Sequence, residues 1–307
     1  MRKLFILFFC GLPCIIGCVN EDHTLGGKAG ELTWTLSDGT LTIIGNGAMP
    51  DYKVKPTEFL PDWFEYRDNI TNVVIGDGVT NISDYAFFRC EKMTSVSMGN
   101  SIKSIGARAF SSCSSLSSVL IPNSVTTIGD DAFSACSSLT SVIIPNSVTS
   151  IGDAAFYQCE KLASVTIGHS VISIGDFAFY QCEKLASVTL GNSLISIGKE
   201  AFFGCSSLAS LTIPNSVTDI GSAAFYFCGI KSLTIGISVT NISEEAFRNC
   251  TNLTEIINHR VIPQTIHELV FRGVSKSRCT LFVPAISESA YRDANVWKDF
   301  VNIKTII

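Results

Sequence analysis

The feature that most constrains this chain is a self-similarity: Ala-Phe-x-x-Cys recurs with its cysteine at positions 90, 113, 136, 159, 182, 205, 228 and 250. Six successive steps are 23 residues and the seventh is 22. The short step falls in "CGIKSL", residues 228–233, which lacks one residue relative to "CSSLTSV", residues 136–142. A unit this small cannot bury its own apolar side chains, so it must stack on its copies, and the array forms one elongated interior.

One repeat, "CSSLTSVIIPNSVTSIGDAAFYQC" from Cys136 to Cys159, can be read as geometry. Val142 and Ile144 alternate with polar or exposed positions, the period-two pattern of a strand with one buried face, and copies of that strand pair in parallel. Leu139 points inward with them. "IPNS", at 121, 144 and 213, ends the strand, because proline offers no amide hydrogen while Asn and Ser can cap free backbone groups. The chain returns through Val148 and Ile151, bends at Gly152 and places Phe156 in the middle of the coil. By repeat equivalence Phe110, Phe133 and Phe179 occupy the same central place, with Cys113, Cys136, Cys159 and Cys182 beside them. Asp153, Asp176 and Glu200, in the bend before Ala-Phe, read as first-turn residues of short helices.

A period of 23 lies within the range of leucine-rich repeats, and "IPNSVTSIGDAAFYQC" resembles the BspA-like, or Treponema-type, bacterial cell-surface leucine-rich-repeat family. The resemblance implies an α/β solenoid, a right-handed leucine-rich-repeat superhelix with a parallel sheet. It also implies a role in adhesion, host-protein binding or immune recognition, and it names no ligand.

Bare apolar cross-sections at the two ends of a stack require capping segments. At the N-terminal side "ELTWTLSDGTLTIIG" gives alternating runs over Leu32 to Leu36 and Thr40 to Ile44 around Asp38-Gly39, a hairpin signal. Trp63, Phe64 and Tyr66 are expected to cover the first repeat. At the C-terminal side the register fades after Leu253 and Ile256, and a strand, a short helix and a final strand follow, with Tyr291, Trp297 and Phe300 as the plug. The expected division is a leader at 1–17, a linker at 18–27, an N-terminal β cap at 28–69, repeats at 70–258 and a C-terminal α/β cap at 259–307.

Residues 1–17 have the parts of an export signal: Arg2-Lys3, an apolar stretch from Leu4 to Leu12, then small and apolar residues, too short to span a bilayer. Ile15-Ile16-Gly17-Cys18 resembles the bacterial lipobox, although Ile stands where Leu is commoner. That resemblance implies acylation of Cys18 and a lipid anchor with no transmembrane helix. Glu21-Asp22 resembles the signal that sends some lipoproteins to the outer face. The expectation is an exported outer-membrane lipoprotein at the cell surface.

Eight evenly spaced cysteines in an exported chain invite a disulfide or metal reading. Equivalent thiols on neighbouring coils would lie about 4.8 Å apart with parallel side chains, a poor geometry for closing a disulfide. A linear row also cannot converge on a tetrahedral ion. The expectation is buried free thiols acting as small apolar residues, with Cys279 in the cap core and no metal or cofactor. His23, His169, His259 and His267 form no ligand pair, and no HExxH, Walker or Gly-x-Ser-x-Gly motif occurs. No catalytic residue is assigned. A net charge of -5, with 22 basic against 27 acidic residues and no basic run, excludes a nucleic-acid partner.

Two outward ladders are candidates for binding. The strand face carries Ser95, Ser118, Ser141, Ser164, Ser187, Ser210, Ser232 and Glu255, and two places on Ser97, Leu120, Ile143, Thr166, Thr189, Thr212, Thr234 and Ile257. Selection for a ligand and plain strand-compatible solubility both explain such a face. The second ladder follows the core phenylalanine: Phe88, Tyr157, Tyr180, Phe203 and Tyr226. It is explained by mutual packing or by recognition of a sugar or a protein. Three functions follow. The leading one is a surface-anchored, non-enzymatic module binding a host or microbial protein. A glycan-binding accessory lipoprotein comes second, and a degradative enzyme, which needs a cleft with converging catalytic groups, comes third.

Overall fold

The computed structural model describes residues 24–52 and 60–306. The leader, Cys18, Glu21-Asp22 and His23 lie outside them. Between its caps the chain winds as a coil with three sides, and each repeat contributes one segment to each side.

The first side is the strand face. An N-terminal sheet runs in the order β1 (Leu25–Ala29), β2 (Leu32–Ser37), β3 (Thr40–Ile44), β4 (Asn72–Ile75) and then Ser95–Met98. β1, β2 and β3 pair antiparallel, and β4 joins β3 in parallel, Thr42 opposite Val74. Residues 25–27, expected in a linker, are therefore part of the first cap strand. Ala29, paired with Leu32 across the hairpin, is buried on the same face, while the glycines at 26 and 27 hide this strand from a hydropathy pattern. Further along, Ser141–Ile144, Ser164–Ile167 and Ser187–Thr189 pair in register one repeat apart. A five-stranded group from Ser210–Thr212 to Asn302–Thr305 completes this side. The ladder lapses at residues 117–120, which form no strand.

The second side is an unbroken eight-stranded sheet of two-residue strands, from Asn81–Ile82 to Asn241–Ile242. Its isoleucines, such as Ile151 and Ile174, face inward and pair across coils.

The third side holds the Ala-Phe-x-x-Cys segment, and here the expected short helical turns do not form. The segment is a chain of tight turns in which residues on either side of Ala-Phe take left-handed backbone angles, Ala154 at φ 52° and Gln158 at φ 52°, for example. A helix would satisfy its amides internally. In these turns Ala154, Phe156 and Gln158 instead donate to the carbonyls of Asp176, Ala178 and Tyr180 in the following coil. On the other two sides amides donate in both directions, as Ala163 does to Thr140 and Gly152 to Ile128 in the preceding coil and Ile213 to Thr234 in the following one. Asp153 and Asp176 are bridges between coils: each Oδ1 accepts the amide of the equivalent residue one repeat on, Asp176 and Lys199, both at 2.7 Å. Asp84 does the same for Ala107. Asp130 does so for Asp153 at 2.9 Å, and Gly152 permits that contact, since a Cβ there would lie 2.6 Å from the Asp130 amide nitrogen.

The core is a single column. Rings from Phe87 to Phe271 stack one per coil, with centroids 5.1–5.6 Å apart. Trp63 closes the column at one end, 6.1 Å from Phe87 and nearly parallel to it, its Nε1 donating to the Ala86 carbonyl. At the other end Trp297 and Phe300 meet Phe271 edge-on. Phe271 lies beyond the segment read as repeats. "LVFRGV" at 269–274 is a further coil in which Val270 and Val274 replace the Ala and Cys of the motif, so the sequence signature disappears while the packing continues. Among the described residues helix is confined to short pieces, chiefly Asp62–Asn69 at the first cap and α1 (Glu288–Asp293) in the last.

Candidate functional site

The inward residues carry no accessible chemistry. Phe110, Phe133, Phe156 and Phe179 are fully buried, as are Cys113, Cys136, Cys159 and Cys182. All the cysteines among the described residues are free thiols. Those of the ladder from Cys113 to Cys250 have a specific task that composition does not disclose. Cys113 Sγ donates to the Phe87 carbonyl at 3.2 Å, Cys136 to Phe110 at 3.2 Å, Cys159 to Phe133 and Cys182 to Phe156 at 3.3 Å. The thiol thus ties the core ring of one coil to the next while filling the space of a small apolar group. Burial pushes Cys90, Cys136 and Cys182 up to about 12, and holds Cys113 and Cys159 well above the ordinary thiol range. Such thiols are poor nucleophiles and poor metal ligands. No three His, Cys, Asp or Glu side chains come together as a metal site among the described residues. His267 Nδ1 lies 3.7 Å from Glu244, and both are exposed.

On the strand face Ser141, Ser164, Ser187 and Ser210 point outward in line. Against this small polar surface two aliphatic side chains stand out: Leu120 is 79% exposed and Ile143, its equivalent one coil on, 64%. Val74 is a lesser neighbour two coils earlier. At the far end of the same face Glu255, Ile257, Phe282 and Ile306 line a shallow, mostly apolar depression of about 220 Å³.

The aromatic ladder lies on the third side. Tyr157, Tyr180, Phe203 and Tyr226 stack nearly parallel at 4.9, 4.8 and 5.0 Å. Their inner faces therefore cover one another, and a partner meets ring edges along most of the stripe. At its C-terminal end the Arg248 guanidinium lies over Tyr226 at 5.4 Å. Phe227 and Phe177 flank the stripe edge-on. Phe88 is separated from the stack by two coils whose equivalent residues are Ser111 and Ser134. It packs edge-on against Tyr85, as Tyr180 does against Phe177.

Two segments, residues 57–186 and 172–296, match the BspA type leucine rich repeat region, with six copies. Among solved structures, a leucine-rich repeat protein from Bacteroides ovatus shares 23% identity, covering 90% of this chain and 87% of that one with a TM-score of 0.58. The T. pallidum leucine rich repeat protein shares 25% identity over 66% of this chain and 88% of its own, with a TM-score of 0.45. A leucine rich cell surface protein from Faecalibacterium prausnitzii shares 23% over 92% and 94%, with a TM-score of 0.39. Among curated proteins none matches. With the repeat, its stacking and a matched stretch that takes in most of the sequence all in agreement, the chain belongs to the BspA-type family of bacterial leucine-rich-repeat proteins.

Proposed function

We propose that the chain is an exported, non-enzymatic binding module, held at the cell surface by an acylated Cys18, whose strand face engages a protein of host or microbial origin. The observation that carries this reading is the pair Leu120 and Ile143. Large aliphatic side chains left in water on adjacent coils, with mostly serine and threonine at the flanking positions, are the composition of a protein contact, where an apolar centre is ringed by small polar groups. The rigid stack supports it, because a preformed face loses little conformational freedom on binding. The F. prausnitzii neighbour is described as a cell surface protein, which agrees with the export signal read at residues 1–17. No helix among the described residues is long and apolar enough to cross a membrane, and a lipid anchor needs none.

The test is capture of host and microbial proteins on the purified chain, repeated with Leu120→Glu and Ile143→Glu together. Loss of captured partners by tenfold or more, with the melting temperature unchanged, is the expected result. Capture identical to wild type would remove the strand face as the contact. For the anchor, the expected result is metabolic labelling by a fatty acid that disappears in Cys18→Ala; labelling that persists would end the lipoprotein reading.

A further inference from the structure

The aromatic stripe contains one open ring face. Tyr226 is covered by Arg248 and each inner ring by its neighbours, but on its N-terminal side Tyr157 has no ring or cation over it among the described residues. The next two rungs carry only Ser111 and Ser134, and the third carries Phe88. With successive core rings of these coils 5.1–5.2 Å apart, the space between Phe88 and Tyr157 is that of two absent rings.

This notch is polar as well as aromatic. Ser111 and Ser134 are only 7% and 8% exposed, so two small hydroxyl side chains lie at its base. Their repeat register points them the same way as the Tyr157 ring. Beside them, at the position before Ala-Phe in the same two coils, Arg108 Nε donates to Asp131 Oδ2 at 3.1 Å. That row is partly exposed, so a charged donor and a charged acceptor flank the notch. A flat ring face, two serine hydroxyls on the floor and a carboxylate with a guanidinium alongside suit a pyranose: its C–H face stacks on the ring and its vicinal hydroxyls take up the polar groups.

We propose that the notch between Phe88 and Tyr157 is a saccharide site, with the Tyr157 ring as platform, Ser111 and Ser134 as its floor and Arg108 with Asp131 as its polar flank. It takes a unit of one or two sugar rings. It lies on a different side of the coil from Leu120 and Ile143 and does not depend on the protein-binding reading.

The experiment screens the full chain by saturation-transfer NMR against di- to tetrasaccharides of glucose, galactose, mannose, N-acetylglucosamine and uronic acids. Hits are then measured on three variants. Tyr157→Ala and Asp131→Asn are each expected to weaken binding tenfold or more. Ser134→Tyr supplies one absent ring, as Tyr157 does in the next coil, and is expected to abolish binding while the melting temperature holds or rises, which separates blocking from misfolding. Leu120→Glu with Ile143→Glu is expected to leave saccharide binding intact. No hit in the screen, or a hit unaffected by Ser134→Tyr and Tyr157→Ala, overturns the proposal. A hit lost only in the Leu120 and Ile143 variant overturns it as well and moves the sugar to the strand face.

Discussion

At the scale of single residues, the recurring cysteine shows how one side chain answers two demands. Its position must be small and apolar, which Ala would satisfy, yet a core carbonyl from the preceding coil faces it, and the thiol gives that carbonyl a weak donor. The same burial fixes a pH response. A thiol that keeps its proton to about 12 in the fold, as Cys136 and Cys182 do, but loses it near 9.0 in the open chain makes the folded state bind more protons between those values. Stability is then complete below about pH 9 and falls as the pH climbs toward 12, by up to ~1.4 kcal/mol per pH unit for each such thiol. Urea titrations at pH 7, 8 and 10.5 are expected to show midpoints nearly equal at the first two and lower at the third. A thiol reagent at pH 8 is expected to leave the ladder untouched until urea unfolds the chain. A midpoint flat to pH 10.5 would show that the thiols ionise in place. The burial of this ladder was legible in the repeat register; the carbonyl it serves was not, because backbone acceptors leave no mark in a sequence.

At the scale of elements, the third side departs most from what the sequence suggests. Aspartate before Ala-Phe matches a helix start, and nothing in one repeat alone distinguishes an acceptor for its own helix from an acceptor for the next coil. The decision belongs to the stack, since turns with left-handed residues let alternate amides reach across to the following repeat. Those angles cost a side-chain-bearing residue about 1 kcal/mol relative to glycine, and Gly204, at φ 75°, occupies the place that Gln181 fills one coil earlier. Ala154→Gly is therefore expected to be neutral or to stabilise by up to about 1 kcal/mol, whereas a glycine usually weakens a fold. Gly152→Ala, whose new methyl would meet the Asp130 amide, is expected to destabilise by more than 1 kcal/mol, roughly the range seen for overpacked sites. Thermal melts of the two variants measured together give the comparison, and equal losses would contradict it. The strands were easier to read, since Val142 and Ile144 alternate within one short window. The additional coil around Phe271 was hidden because two of its three signature residues, Val270 and Val274, preserve volume but not identity.

At the scale of the whole molecule, the chain behaves as a one-dimensional stack in which each coil touches only its neighbours. Its stability is set by interfaces and by the two closures, Trp63 at one end and Trp297 with Phe300 at the other. Trp63→Ala removes a fully buried ring that caps the column, a loss of about 3–5 kcal/mol for such a site. In a stack that loss is expected to remain local: amide exchange should speed up across residues 70–90 while protection near 150–200 stays as in the wild type. Uniform loss along the array would mean the coils melt as one unit. The opposed sense of the amides also bears on how long such an array can grow. Within each parallel strand ladder successive amides point to opposite neighbouring coils, so their dipoles largely cancel, and only the third side adds polarity along the axis. Unlike a helix, the solenoid accumulates little polarity with each added repeat, and its ends can be sealed with indole and phenyl rings instead of countercharges.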